Sequence, residues 1–248
     1  MTTEAITIAL ILFFTIALLY SSVGHAGASG YLAIMALMSF DDDAIKPTSL
    51  ILNIVVASIA SWQFIRAGLF DLRIFLAFAV TSIPMAFVGG GLDLDPTHFK
   101  LAAGIFLILS SVLLLLKTYL ASKSGALITM PLWAGLVIGP AIGFFSGLIG
   151  VGGGIFLSPL LVLAGWANAK VAGGIAALFI LLNSIAGLFG KTDSLKMVDE
   201  TIWYWVLAVI LGGLLGSWLG SKKLNTKIVI SFLFVVLLSA GLKFLFYP

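Results

Sequence analysis

The chain alternates between long apolar segments and short polar ones over its whole length. Ten apolar segments can be recognised, and they run roughly over residues 4–21, 30–40, 48–65, 73–91, 98–117, 130–147, 155–165, 171–190, 201–220 and 226–247. Most approach the ~20 residues that an α-helix needs to cross a bilayer, whereas the second and the seventh have only about a dozen. The pattern predicts an all-α polytopic membrane protein in which two helices are short or interrupted.

The order of long and short segments repeats once along the chain. The glycine-rich stretch "GHAGASG" at residues 24–30 is matched by "GVGGG" at residues 150–154, and each precedes a short apolar segment. Asn53 in the third segment is matched by Asn183 in the eighth. Such internal similarity predicts two structural repeats of five membrane segments each.

The N-terminal repeat is predicted to cover residues 1–122 and the C-terminal repeat residues 123–248. Because five is an odd number, the repeats would be inverted relative to each other if every segment crosses. With the N-terminus outside, the predicted cytoplasmic loops carry Arg66, Arg73, Lys117, Lys123, Lys170, Lys222, Lys223 and Lys227, whereas the outer loops carry Lys46, Lys100, Lys191, Lys196 and Lys243. This excess of basic residues on the inside favours the inverted arrangement.

The two glycine-rich stretches, which we call the first and the second break, are candidates for an anion site. Lipid cannot hydrogen-bond the main chain, so each break must lie inside the protein or line a polar cavity. A short helix that starts at a break directs its N-terminal N–H groups and the positive end of its dipole there. Two breaks that meet near the middle of the membrane would suit a small anion. Close helix packing is the alternative explanation for residues 150–154, and it is the preferred one for residues 89–91 and 212–213.

Neutral polar residues complete the candidate site, because the membrane interior is predicted to hold no fixed charge. Asn53 and Asn183 could each bind substrate, or could brace the fold by bonding carbonyl groups of the opposite break. His25 could take up a proton together with substrate, or could remain neutral and hydrogen-bonded. The candidate substrate-binding residues are Gly24, His25, Gly27, Ser29, Thr48, Ser49, Asn53, Gly150, Gly152, Gly153, Gly154, Ser158 and Asn183.

Composition restricts the class of function further. Of the 248 residues 61% are hydrophobic and only 9% charged, so the apolar surface is too large for a soluble domain. The net charge of +3 is small and scattered, which disfavours nucleic-acid binding. Without cysteines or intramembrane carboxylates, neither a metal site nor metal transport is expected.

The sequence therefore leads us to expect no cofactor, no metal and no catalytic residue. The expected partners are the lipid bilayer and a small anion, and a homodimer is left open. The first apolar segment lacks a preceding basic residue, so we expect residues 5–20 to be a retained helix of a multi-pass protein in the cell inner membrane or plasma membrane.

Four stretches of the chain carry a family resemblance. They read "GLIGVGGGIFLSPLLVLAG", "KVAGGIAALFILLNSIAGLFG", "QFIRAGLFDLRIFLAF" and "GGLLGSWLGSKKL". They resemble the TauE/SafE family of membrane exporters, which handle sulfite and small organosulfonates, and the resemblance extends over nearly the whole chain. It implies export of a small sulfur-containing anion. Together with the predicted inverted repeats, it suggests a secondary transporter that works by alternating access.

Two other functions are alternatives. A passive anion channel would need a continuous polar pore, whereas the few polar residues favour one occluded site. The segment from Gly27 to Gly30 also fits the G-x-S-G pattern of rhomboid-like intramembrane serine proteases, with Ser29 as nucleophile and His25 four residues before it. A four-residue match is common in glycine-rich chains, and proteolysis does not explain an inverted duplication.

The inverted arrangement predicts that residues 123 and 193 lie on opposite sides of the membrane. Because the chain has no cysteine, the variants Lys123→Cys and Asp193→Cys should each react with an impermeant thiol reagent from one side alone. We expect Asp193→Cys to react from outside and Lys123→Cys only after the membrane is opened. Reaction of both variants from the same side would contradict the inverted repeats.

Overall fold

The computed structural model describes residues 3–92, 94–121, 127–222 and 226–246, and within these residues it contains helices and no strand. The α-helices are α1 (Thr3–Ser22), α2 (Ala28–Leu37), α3 (Asp42–Arg66), α4 (Leu72–Gly91), α5 (Pro96–Ala121), α6 (Leu132–Ile149), α7 (Gly154–Leu163), α8 (Ala169–Gly190), α9 (Ile202–Lys222) and α10 (Thr226–Phe246). A 3-10 helix, Thr192–Met197, connects α8 to α9. The helices fall on the predicted segments, and α2 and α7 are the two short ones, so the all-α fold is confirmed.

Six of the described helices are long and apolar enough to cross a membrane, namely α1, α3, α4, α6, α8 and α9. The helices α2 and α7 have ten residues each, too few to cross on their own. This is a multi-pass membrane protein. The boundary between the two predicted repeats, at residues 122 and 123, lies outside the described residues. So do Lys123 and Lys223, two of the basic residues in the predicted cytoplasmic loops.

Polar residues in the loops fix where several helices begin. A side-chain oxygen accepts a hydrogen bond from a main-chain N–H of the first turn at the start of α3, α4, α5 and α8, and the acceptors are Asp41, Asp71, Asp95 and Asn168. Such a cap satisfies an N–H group that has no partner within the helix. The cap at Asp41 explains why α3 begins inside the polar stretch before residue 48, earlier than the apolar pattern predicts.

The helices of the two halves of the chain are interleaved. Helix α4 packs along α6 and α1 along α9, while α3 packs on α8 and α5 on α10. The short helix α2 contacts α10, and the short helix α7 contacts α5. Exchanging the first five helices with the last five reproduces the same set of pairs. The packing is consistent with two equivalent halves, and their inversion in the membrane stays a prediction.

Glycines four residues apart bring α6 into main-chain contact with α4. They are Gly135, Gly139, Gly143 and Gly147. A Cβ atom added at Gly143 would lie 2.1 Å from the carbonyl oxygen of Ser82, and one at Gly147 would lie 1.9 Å from that of Ala86. No side chain fits in these gaps. Because the partner residues rise in number together, the two helices run parallel.

Helix α9 meets α1 in the same way. Cβ atoms at Gly212 and Gly216 would lie 2.3 and 2.1 Å from the carbonyl oxygens of Phe14 and Leu18. Gly90 of α4 likewise approaches α8, where a Cβ would lie 2.1 Å from the carbonyl oxygen of Gly187. The packing role predicted for Gly90 and Gly212 is therefore confirmed, and small residues at such spacing are typical of membrane helix interfaces.

Lys243, near the end of α10, holds the C-terminus of the short helix α2. Its ammonium group donates to the carbonyl oxygens of Ala36 and Leu37, the latter at 3.1 Å, and lies 3.4 Å from Oγ of Ser39. The last carbonyl groups of a helix have no partner within it, and the partial negative charge there favours a cation. The position of α2 is thereby tied to α10.

The main-chain contacts between α4 and α6 predict a difference between two buried glycines. Gly147→Ala should destabilise the protein by about 1–3 kcal/mol, because the added methyl collides with a main-chain carbonyl that cannot move aside. Gly213→Ala is the matched control, since its Cβ would lie 3.3 Å from a methyl carbon of Val56, and it should cost less. Thermal unfolding of the purified variants measures both. Equal losses would show that α4 and α6 are not in main-chain contact.

Candidate functional site

The first break lies between α1 and α2. Gly24 and Gly27 have φ angles of 79° and 103°, in the left-handed region that residues with side chains rarely adopt. Gly24 also touches α8, where an added Cβ would lie 2.5 Å from Cα of Gly173. The chain can turn back into α2 at this point only because it carries glycines there.

The second break lies between α6 and α7, and three of its glycines have left-handed φ angles: Gly150, Gly152 and Gly153, at 87°, 76° and 76°. Protein atoms occupy the space beside this break. A Cβ at Gly152 would lie 2.6 Å from Nδ2 of Asn53, and one at Gly154, the first residue of α7, would lie 2.4 Å from Cδ1 of Ile180. In this conformation, close packing is sufficient to explain why these positions carry no side chain.

Asn53 of α3 connects the two breaks. Its side chain is fully buried. Oδ1 accepts a hydrogen bond from the N–H of Ala28, the first residue of α2, at 3.2 Å. Nδ2 donates to Oγ of Ser184 in α8 at 2.9 Å and to the carbonyl oxygen of Val151 in the second break at 3.4 Å. One carboxamide therefore bonds the start of α2, the second break and α8.

Ser49, one turn before Asn53 on α3, bridges the breaks a second time. Its hydroxyl group lies 3.3 Å from the carbonyl oxygen of Ala28 and 3.1 Å from that of Gly150. The two breaks therefore meet along one face of α3, as the sequence predicts. We call the residues that join them here, Ala28, Ser49, Asn53, Gly150, Val151 and Ser184, the break layer.

Asn183 has a different environment from Asn53. Its Nδ2 donates to the carbonyl oxygen of Phe179 in its own helix at 2.8 Å, and its Oδ1 accepts from Oγ of Ser82 in α4 at 2.8 Å. Asn183 lies nearly one turn further along α8 than Asn53 lies along α3, so it faces another neighbour. The residue of α8 that bonds Asn53 is Ser184. Neither asparagine has been shown to contact substrate, and that role stays a prediction for both.

Ser29 and His25 are buried close to the first break. The hydroxyl of Ser29 lies 2.8 Å from the phenolic oxygen of Tyr20, and either can donate. Nδ1 of His25 lies 3.2 Å from the carbonyl oxygen of Val23. A serine nucleophile needs a base within hydrogen-bond distance, and the neighbour found at Ser29 is a phenol. This geometry gives no support to the protease alternative.

The remaining predicted hydroxyls, on Thr48 in α3 and Ser158 in α7, are buried in the helices that border the break layer. Ser184 and Tyr20 are not among the site residues predicted from the sequence. The helical spacing of the small residues Gly173, Ala177, Ser184 and Gly187 along α8 was the signal that could have identified Ser184 as the residue facing the breaks. Nothing in the sequence distinguishes Tyr20 from the apolar residues that surround it.

The break layer offers hydrogen-bond donors without a negative charge. Helix α2 begins in this layer and α7 begins beside it, at Gly154. The first N–H groups of a helix lack partners within it and carry partial positive charge. Hydroxyl and carboxamide groups add further donors. Among the described residues, no group of three or more His, Cys, Asp or Glu side chains could hold a metal ion. The chemistry suits a small anion bound through neutral donors.

Replacing Asn53 or Asn183 by alanine tests whether the two asparagines contribute differently to stability. Asn53→Ala leaves the buried N–H of Ala28 without its acceptor, which typically costs about 1–3 kcal/mol. Asn183→Ala, the matched control, leaves Ser82, whose hydroxyl can turn to a carbonyl of its own helix. We expect the larger fall in unfolding temperature for Asn53→Ala. Equal falls would contradict a bridging role for Asn53.

Comparison with known proteins gives a consistent result. The family described as "Sulfite exporter TauE/SafE" matches residues 8–244. The chain is 39% identical over 249 residues to the "Probable membrane transporter protein y4hK" of Sinorhizobium fredii (strain NBRC 101917 / NGR234), covering 99% of this chain and 100% of that relative. It is 26% identical over 220 residues to the "Probable membrane transporter protein YunE" of Bacillus subtilis (strain 168), covering 80% and 79%. No solved structure matches significantly. With an all-helical fold and a match over nearly its full length, the chain belongs to the TauE/SafE family of membrane transporters.

Proposed function

We propose that this protein is a secondary transporter that exports a small sulfur-containing anion, sulfite or a small organosulfonate, by alternating access. The observation that carries the proposal is the meeting of two interrupted helices at Ser49 and Asn53. Interrupted helices that meet inside the protein are the usual way in which transporters build a substrate site. The choice of sulfite rests on the description of the matching family, and export rests on the same description.

The break layer would hold the anion through donors that now bond to protein acceptors. The N–H of Ala28, the Nδ2 group of Asn53 and the hydroxyl of Ser49 all point to groups within the layer. An arriving sulfite or sulfonate oxygen would replace those acceptors and would gain hydrogen bonds to a charged group, which are stronger than neutral ones. The glycines of both breaks would let the oxygens approach the main chain.

Alternating access would require the contacts on either side of the break layer to open in turn. One such contact is closed in this structure, because the main chains of Gly24 and Gly173 touch. Parting the first break from α8 there would open a path on that side. A closed contact supports a gated transporter over the passive channel, which needs a continuous pore. We place the protein in the cell inner membrane or plasma membrane.

Binding of the proposed substrates is tested on the purified protein. Sulfite or methanesulfonate at about 100 times its dissociation constant should raise the free energy of unfolding by about 2.7 kcal/mol. Ser49→Ala should weaken binding about tenfold, because one hydrogen bond to a charged group is lost. Ser58→Ala is the matched control, since the Ser58 hydroxyl bonds to the carbonyl of Ile54 in the same helix.

Transport into vesicles that contain the protein should follow the same order, with Ser58→Ala like the parent and Ser49→Ala slower at low substrate concentration. If neither anion stabilises or crosses with the parent protein, the proposed function is wrong. If both anions act on the parent but Ser49→Ala binds them equally well, the anion site lies outside the break layer.

A further inference from the structure

A groove with a volume of about 600 Å³ runs along the outer side of the helix pair α4 and α6. Its walls are exposed leucines that lie one turn apart on each helix, Leu72, Leu76, Leu132 and Leu136. Ala77 lines it where the two helices touch, since a Cβ added at Gly135 would lie 2.8 Å from Cβ of Ala77. The small residues leave the space between the leucines open. We call it the leucine groove.

A second cavity, of about 180 Å³, adjoins the leucine groove where α4 and α6 begin. The two spaces share Arg73 and Leu132 among their lining residues. Asp71, Thr129 and Trp166 also line the second cavity, and we call it the Asp71 cavity. Charged and hydroxyl groups at one end of a continuous space, with leucines along the other, suit a molecule that is itself polar at one end and apolar at the other.

This end of the molecule has the residues of a membrane–water interface. Helices α4 and α6 are both long and apolar enough to span, and both begin here. Trp133, the second residue of α6, is exposed, and Trp166 is half-buried. Tryptophan is enriched where the bilayer meets water, and an arginine such as Arg73 can lay its aliphatic stem on apolar surface with its charge among the headgroups. The Asp71 cavity thus lies at headgroup depth and the leucine groove at acyl-chain depth.

The Asp71 cavity is lined by one carboxylate and one guanidinium group, which together carry no net charge and therefore match a zwitterion. In the part of the chain that the structure describes, neither Asp71 nor Arg73 takes part in an ion pair. Oδ1 of Asp71 accepts from the N–H of Ile74 at 3.0 Å. A carboxylate has about four acceptor positions, so Asp71 can accept further hydrogen bonds while it caps α4.

We propose that the Asp71 cavity and the leucine groove together bind one molecule of phosphatidylethanolamine, a phospholipid whose headgroup carries a phosphate and a primary ammonium. The planar guanidinium of Arg73 would bind the phosphate oxygens, and the ammonium would donate to Asp71. An acyl chain would lie between the leucines. Because α4 and α6 come from different halves of the chain, the lipid would contact both halves. The inference goes beyond the proposed transport and does not depend on it.

The headgroup can be distinguished from those of two related lipids. A choline headgroup has no N–H group to donate to Asp71, and a glycerol headgroup has no positive charge. Native mass spectrometry of the purified protein, offered equal amounts of phosphatidylethanolamine, phosphatidylcholine and phosphatidylglycerol with identical acyl chains, counts each bound lipid by its mass. We expect phosphatidylethanolamine to be preferred about threefold over each of the others, the effect of one partly exposed ion pair.

Two variants separate the contacts of the headgroup. Arg73→Gln should weaken binding of all three lipids about threefold, because each of them has a phosphate. Asp71→Asn should remove the preference for phosphatidylethanolamine and leave the other two lipids unchanged, since asparagine still caps a helix but carries no charge. Arg66→Gln is the matched control. It removes an arginine from an exposed position at the end of α3, outside the lining of both spaces, and should change neither quantity.

The proposal is overturned if the parent binds the three lipids equally or prefers either of the others. It is also overturned if Asp71→Asn keeps the preference, or if Arg73→Gln weakens binding no more than Arg66→Gln does. A second copy of the chain is the competing occupant of the groove. Because the chain has no natural cysteine, Leu136→Cys reports on it, and efficient cross-linking of two copies through this cysteine by a short thiol reagent would likewise overturn the proposal.

Discussion

The structure depends on how two interrupted helices satisfy their main-chain groups in an apolar interior. Where α2 and α7 begin, N–H and C=O groups leave the helical ladder, and lipid offers them no partner. Ser49 and Asn53, one turn apart on α3, supply such partners for both breaks at once. A single helix face therefore fixes the relative position of two breaks from distant parts of the chain. The same groups that stabilise the interruption are those that an anion could use.

This arrangement has a consequence for side-chain size around the breaks. The two breaks must approach α3 and α8 closely enough for one carboxamide to reach both, and this is possible because the glycines place no side chain between them. The contacts of Gly24 with α8 and of Gly152 with Asn53 leave no space for a methyl group. The glycines therefore allow main chains to come into direct contact. Three residues of the second break also have left-handed φ angles, which favour glycine independently of the space available.

Much of the fold could be predicted because apolar length is a strong signal in a membrane protein. All ten described α-helices lie on predicted segments, and even the two short ones are visible in the sequence as shortened apolar stretches after glycines. The site was predicted less completely. That the breaks meet could be inferred from their positions, but the partner of each asparagine depends on the rotation of α8. A shift of one residue turns a side chain by about 100°, which is why Ser184 and not Asn183 bonds Asn53. The sequence predicts a loop position for Lys46 because a lysine is charged. In the structure its long aliphatic stem packs beside Gly150, which the sequence does not reveal.

The bond from Lys243 to the end of α2 has a consequence for the order in which the protein can be assembled. A chain is synthesised from its N-terminus, so α2 is made before its C-terminal cap, which follows Ala36 by 207 residues. Helix α1 likewise waits for α9, and α4 for α6. The glycine faces of α6 and α9 are made after the helices that they contact, so the packing of α1 on α9 and the cap on α2 can form only once α9 and α10 are present.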